Sequence, residues 1–430
     1  MENENGLNKI DDRRIQVVTP GRDAWSLIKE ITQGDYQEDA FYICDINDVI
    51  AQYKKWKMKM PRVEPHYVLA ALGAGFDCAS KEEIRKVLEL GVAPSRIIFA
   101  NPAKKASHIR YAAAVGVTTM TFDNENELYK IKRYFTDARM VIRIRYDDLS
   151  ATYVLGNKYG CDPKTEARDL LLVARSLGID VIGVSFHVGS GSKDNAIYAK
   201  AIEAARHVFD VAETLGFNFN FLDIGGGFPG GRSEDFYEIS RSVNHALDTL
   251  FADSSIRVIS EPGRYFVTSA FTLVSNIHSV KEAVETDAAS GDPVKLQMYY
   301  VDVSVYGAFI TVLCDEFYPP KTLYGHLDAR KYPSVVWGAT CDGVDKIAHN
   351  VMLPKLKIGD WIVFEDAGAY TLSIACEFNG FPPPNVHCVV DEDNWKLLRQ
   401  LRTFPKGRFV VGKTMEDFFT ELPASYIAEI

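Results

Sequence analysis

The chain has no apolar run long enough to span a bilayer, and its polar opening, MENENGLNKIDDRR, holds no signal-peptide core. A cytoplasmic protein with no membrane partner is expected. Basic residues form no cluster, and the net charge of −10 is spread along the chain, which argues against nucleic acid as a partner. The seven cysteines are scattered and odd in number, with neither CxxC nor metal-ligand spacing. Neither a disulfide framework nor a bound metal is indicated, and Cys44, Cys78, Cys161 and Cys376 read most simply as buried thiols. Low-complexity tails are absent too. What remains is ordinary for a soluble globular protein: 430 residues, 47% hydrophobic and 25% charged, enough for two domains.

From Gly75 onward strands and helices alternate. FDCAS leads into KEEIRKVLELG, RIIFAN into ASHIRYAAAVG, TTMTFD into NENELYKIKRYF, and MVIRIR, after a longer loop, into TEARDLLLVARSLG. VIGVSFHVG then leads into AIYAKAIEAARHVFDVAETLG, NFLDIGG into FYEISRSVNHALDTLF, and RVISEPG ends the series. This serial pattern predicts an α/β fold, a (β/α)8 barrel with its chemistry at the C-terminal strand ends. Only seven strands are evident. The natural place for the eighth is a stub at Val63–Tyr67, but VLAALGA alone separates it from FDCAS, too little for a strand and a crossover helix. The first βα unit therefore reads as truncated between Tyr67 and Val68. Beyond about residue 268 strands follow without long helices, which predicts a mainly β domain. The expected division is residues 1–38 as a segment joining the β domain, 39–268 as the barrel and 269–430 as the β domain; RIQVV and FYICDI are expected to pair with the last.

The most informative stretch is NFNFLDIGGGFPGG, residues 218–231. A strand that stops in Gly225, Gly226 and Gly227 brings bare N–H groups close to an anion, or forms a tight turn with no ligand. A second strand, RVISEPGRYFV, ends in Glu261, Pro262, Gly263 and Arg264. Two such ends, one with a guanidinium, suggest a shared phosphate and leave Glu261 to pair with a cationic ring nitrogen.

FDCASKEEI, SFHVGSGS, LDIGGGFPG, EPGRYFV, YGAF, WGATCDGVD and DAGAYT, in this order, resemble the eukaryotic, fungal-type ornithine decarboxylase family. These are alanine-racemase-like enzymes that use pyridoxal 5'-phosphate (PLP). The likeness runs from about residue 38 to about 425. It implies a barrel plus a β domain working as a homodimer with shared active sites, a small amino-acid substrate, and a possible antizyme-like regulator. By this resemblance Gly225, Gly226, Gly227, Gly263, Arg264, Ser190 and Tyr370 hold the phosphate, and Glu261 keeps the pyridine nitrogen protonated. His187 stacks on the ring, and Asp77 and Glu83 lie near the imine. From the partner subunit Cys341 returns a proton to the substrate carbon, while Asp342 and Asp315 bind the distal ammonium. Taken alone, His187 reads as a core group and Cys341 as a buried thiol; their motifs favour function. Asp315 reads equally as an ordinary loop carboxylate.

Departures from the family pattern cluster at the site. The AVKCN-like stretch that carries the family's imine lysine is absent after Tyr67, and Lys54, Lys55, Lys57, Lys59 and Lys81 are not placed to replace it. Val154 stands where the family has an arginine, Asp302–Val303–Ser304 where it reads NDG, Cys314 for the tyrosine before the substrate aspartate, Ile310 for an asparagine, and Ser192 for a cysteine. Phosphate-side residues are kept while substrate-side ones have drifted. The favoured expectation is a PLP-dependent decarboxylase of L-ornithine or a related diamino or modified amino acid, its sequence lacking a piece. It serves either polyamine synthesis or, as a specialised paralogue, a fungal alkaloid pathway. The alternatives are an inactive homologue that binds partners, as antizyme inhibitors do, and a protein that binds PLP non-covalently.

Overall fold

The computed structural model describes residues 13–19, 21–33, 37–66, 72–147, 151–231, 233–286, 291–314, 316–324, 330–400 and 409–412. The chain forms two compact units, one made chiefly of residues 1–50 and 267–400, the other of residues 51–266.

The 51–266 unit is built on eight parallel strands. Their order in the sheet is Val63–Pro65, Arg257–Ser260, Phe221–Asp223, Asp180–Ser185, Arg139–Arg143, Thr119–Phe122, Ile97–Phe99 and Phe76–Cys78. A parallel bridge between His66 and Gly75 joins the two ends of this path, giving a nearly closed (β/α)8 barrel. The stub after Met60 is thus the eighth strand, paired in register with Arg257–Ser260. The ten residues between Pro65 and Phe76 leave no room for a full crossover helix. The Tyr67–Val68 junction itself lies outside the described residues. At the closing bridge only glycine fits, because a Cβ on Gly75 would stand 2.3 Å from the His66 ring.

Local chemistry sets the helix boundaries. Ser80 Oγ accepts the Glu83 N–H at 3.2 Å while the Glu83 carboxylate takes the Ala79 N–H at 2.5 Å, a reciprocal cap that starts the helix Lys81–Glu89. Ile84 and Val87 turn inward from it. Asn124 Oδ1 accepts the Glu127 N–H and so caps Glu125–Tyr134, and Gly116, at φ 78°, ends Ala106–Val115. Inside the barrel Ile98, Val141, Ile182, Phe221 and Ile259 pack together.

The other unit carries a mixed sheet of ten strands. Its spine, Phe271–Thr286, pairs through its first half with Phe41–Asp45 and Trp361–Phe364, and through its second with Pro293–Val301. A register shift between Ile277 and Ser279 marks the change of partner on that side. Phe41–Asp45 and Arg13–Val18 both pair with Asn385–Asp391, so RIQVV and FYICD lie in this sheet. The first boundary is expected at 38 and observed at 50 because the Phe41–Asp45 strand belongs to the β unit.

Candidate active site

In the barrel unit the strands Asp180–Ser185, Phe221–Asp223 and Arg257–Ser260 are neighbours, and the loops leaving their C-terminal ends interlock. The Glu261 N–H donates to the Gly225 carbonyl at 2.8 Å, and Ser260 Oγ donates to the same oxygen at 2.7 Å. The Tyr198 hydroxyl donates to the Gly226 carbonyl at 3.0 Å. A Cβ on Gly225 would stand 2.1 Å from the Phe186 carbonyl oxygen, one on Gly226 2.5 Å from that of Glu261, and one on Gly227 1.9 Å from that of Gly189. The glycines are therefore required by backbone packing between three loops. Among the described residues the N–H groups of Gly226 and Gly227 have no partner, which leaves two donors for an anion. The Gly263 N–H is already donated to the Glu261 carbonyl at 2.9 Å, and Arg264 follows on the short helix Gly263–Val267.

Aromatic packing holds this floor in place. Tyr198 stacks on Phe228 at 4.3 Å, and Trp56 meets Phe228 edge-on at 4.9 Å and Tyr265 at 5.2 Å. Each such pair adds about 0.5–1.5 kcal/mol beyond the area it buries. On the other side, Ser190 and Tyr153 exchange backbone hydrogen bonds of 3.1 and 3.2 Å, tying the HVGSG loop to the TYVLG segment.

Three acids converge beside these loops. Asp223 is 1% exposed, its Oδ1 takes the Gly225 N–H at 2.9 Å, and its carboxyl is hydrogen-bonded to that of Glu261. Glu261 Oε1 is buried with no partner. Burial, then the charge of Asp223, pushes Glu261 well above the usual carboxyl range. Asp77 keeps open surface, yet the protein around it withholds enough water to raise its pKa, with Glu261 and Glu83 adding to the effect. Glu83, through its cap to Ala79, is held by its own helix. The cation that opposes these acids is Arg143. His187 Nδ1 accepts the Gly189 N–H at 3.0 Å, so its proton sits on Nε2; burial, then Arg143, lowers its pKa to about 3 and keeps it neutral. Of the lysines, Lys55 and Lys59 lie over the Tyr237 ring, Lys81 lies over Tyr111, Lys104 is buried against Glu127, and Lys158 shares the Tyr159 ring with Arg143.

In the β unit Cys341 and Asp342 lie on a loop stapled by Asp345. The Asp345 carboxylate accepts the Val305 N–H at 2.7 Å, the Thr340 N–H at 2.8 Å and the Thr340 hydroxyl at 2.6 Å. Asp342 accepts the Tyr306 hydroxyl at 2.5 Å, and that bond, with the Val344 N–H, lowers its pKa. Cys341 is exposed, and its N–H donates to Asn379 Oδ1 at 3.2 Å. The drifted DVS segment has structural work: Asp302 accepts the Ser275 hydroxyl at 2.7 Å, and Ser304 caps the turn Val305–Ala308. Tyr370 is exposed at φ 54°, a strained setting for a bulky residue. Cys314 is exposed at the end of the turn Ile310–Cys314, and Asp315 lies outside the described residues. Cys376, expected to be buried, is exposed: it follows the short turn Leu372–Ile374 outside any strand, so nothing packs it inward.

Comparison with known proteins decides what this arrangement belongs to. The family described as pyridoxal-dependent decarboxylase, pyridoxal binding domain, matches residues 46–268. The chain belongs to this family. It is 45% identical to ornithine decarboxylase of Rattus norvegicus over 399 residues, covering 87% of this chain and 86% of the rat protein. It is equally, 45%, identical to antizyme inhibitor 2 of Xenopus laevis over 395 residues, covering 87% and 86%. Among solved structures, arginine decarboxylase of Paramecium bursaria Chlorella virus bound to agmatine superposes with a TM-score of 0.78 at 36% identity, covering 85% of this chain and all of that one. As a pyridoxal-dependent decarboxylase, the protein uses PLP as its cofactor, and the barrel residues fit it: unpartnered glycine donors suit a phosphate, and the orphaned Glu261 oxygen suits a cationic ring N–H. Two charged groups of this site, the acid Asp223 and the opposing cation Arg143, went unread in the sequence. Their signal was positional, since both are the last residues of barrel strands.

Proposed function

We propose that the protein decarboxylates L-ornithine or a closely related diamino acid. The single observation that carries this is the interlocked loop set with its unpartnered Gly226 and Gly227 donors and orphaned Glu261 oxygen. In this reading Gly225–Gly227, Ser190, Arg264 and Tyr370 hold the phosphate, with Gly263 shaping the turn. Glu261 holds a proton at the ring nitrogen, and neutral His187 covers the ring face without adding charge. Asp77 and Glu83 flank the reacting end. Bound there, PLP supplies an electron sink for the pair left behind as carbon dioxide departs. Asp342, kept ionised by Tyr306, takes the distal ammonium together with Asp315 beside Cys314, and the exposed Cys341 thiol returns a proton to the substrate carbon. These β-unit residues act on the barrel of a second copy, so the working form is a homodimer.

The test is release of carbon dioxide from L-ornithine, L-lysine and L-arginine by the PLP-loaded protein, with borohydride trapping alongside. Turnover of L-ornithine with PLP trapped on a lysine supports the proposal. No turnover of any of the three overturns it. Reading the transcript across Tyr67–Val68 settles whether an AVKCN-like insert belongs there. Replacement of polar groups by Ile310 and Cys314 favours a modified ornithine, as in an alkaloid route, if plain ornithine is a poor substrate. A second reading, a non-catalytic antizyme-inhibitor-like partner, is favoured by the 45% identity to antizyme inhibitor 2. It predicts tight binding of an antizyme-like regulator with no decarboxylation.

A further inference from the structure

Among the groups outside the proposed roles, Asp223 is the one whose surroundings ask for a function. It ends the Phe221–Asp223 strand at 1% exposure, fixed by the Gly225 N–H at 2.9 Å, with its carboxyl against that of Glu261. The Glu261 main chain is anchored beside it, its N–H donated to the Gly225 carbonyl at 2.8 Å. Two carboxyl groups held in contact away from water do not both ionise.

We propose that Asp223 is a positioning residue: with Glu261 it forms a dyad holding one proton in the cofactor-free protein, and it thereby sets how firmly Glu261 supplies a proton to the ring nitrogen. The inference rests on the PLP reading of the site. The charged groups facing the dyad are Arg143 from the Arg139–Arg143 strand and Asp77 from the Phe76–Cys78 strand, with Glu83 acting on Asp77 from the helix Lys81–Glu89. One shared proton leaves the dyad with a single negative charge, matched by Arg143. Burial raises both groups; their mutual hydrogen bond then holds Asp223 back and pushes Glu261 further up, which places the proton on Glu261. On arrival of the ring nitrogen, the Glu261 O–H bond breaks and a ring N–H bond forms. The product is a carboxylate facing a ring cation, while Asp223 stays an anion beside Arg143, so net charge is conserved.

The bland role for Asp223 is to cap the Gly225 turn. Asp223→Asn separates the two, because its carbonyl oxygen still accepts the Gly225 N–H but carries no charge. PLP affinity measured between about pH 6 and 9 should weaken roughly tenfold at the alkaline end in this variant, its profile moved by about one pH unit toward acid. An unchanged profile, with affinity within about twofold, overturns the proposal. Independently, infrared difference spectra of the cofactor-free protein at neutral pH should show a protonated carboxyl band that Glu261→Gln removes. If wild type and Glu261→Gln give the same spectrum, the dyad does not exist, and this holds even if Asp223→Asn fails to fold. A protein that binds no PLP at any pH but shows the band would sink the cofactor reading and leave the dyad standing.

Discussion

The barrel-loop site and the Cys341–Asp342 loop of the β unit are made on opposite plans. In the barrel the contacts are backbone to backbone: carbonyls of Phe186, Gly189 and Glu261 press on the three glycines so closely that no Cβ can enter. In the β unit the frame is also tight, through Asp345, but the reactive groups stand on its outside, with Cys341 exposed and Asp342 half-buried. A site built from main chain resists substitution at every position, whereas side chains on a braced loop can change without disturbing its frame. The glycine loops keep the family wording, and so does WGATCDGVD on its Asp345 brace, while Ile310, Cys314 and the DVS segment elsewhere in the β unit depart from it.

Substitutions can break or sharpen this contrast. The largest effect is expected for Gly227→Ala, which meets the Gly189 carbonyl and a φ of 91° together. A loss of roughly 4 kcal/mol or more is expected in denaturant titration, with PLP binding abolished; a small loss with PLP still bound would show the barrel loops to be as forgiving as the β-unit loop. Next is His66, whose pKa burial lowers to about 4. The unfolded chain then binds the proton that the folded chain refuses, so stability falls as pH drops from about 6.5 toward 4. His66→Gln should flatten that slope by up to about 3 kcal/mol. Asp302 in the β unit, raised to about 6 by burial, has the opposite sign: the folded form takes the proton first and gains stability on acidification. Asp342→Asn should raise the KM for a diamino acid about tenfold and leave PLP affinity unchanged. A matching fall in PLP affinity would mean that the two regions are not separable. Smallest in stability, within about 0.5 kcal/mol, is Cys341→Ala. Its effect should lie in the product distribution, through faulty protonation with PLP still bound, and an unchanged distribution removes the thiol from the mechanism.

Much of this was legible because the barrel repeats one physical pattern. The alternation of apolar strands with capped amphipathic helices, as in FDCASKEEIRKVLELG, announces each βα unit. Val63–Pro65 was only a stub to the eye because a three-residue strand has too few positions to show a period. Lys346–Pro354 and Asn385–Asp391 were missed for a related reason: KIAHNVMLP is buried irregularly and NVHCVVD is buried almost throughout, so neither shows clean alternation. The phosphate side could be read from glycine runs, whose spacing is a backbone requirement. Asp223 could not, since a strand-end acid acquires meaning only from Glu261 arriving from the next strand. Cys376 misled because a cysteine's burial depends on its turn and not on its type.

Closure of the barrel joins its most local contact to its most distant one. His66 meets Gly75 nine positions on (75 − 66), while Val63 pairs with Val258, 195 positions away (258 − 63). The seam at Val63–Pro65 is therefore expected to be sewn last as the chain folds, and the EPGR turn begins directly after the strand on its far side. Pulse-labelled hydrogen exchange should find the Glu261 amide among the latest to gain protection, so that a newly made chain acquires its coenzyme grip only at the final step of assembly.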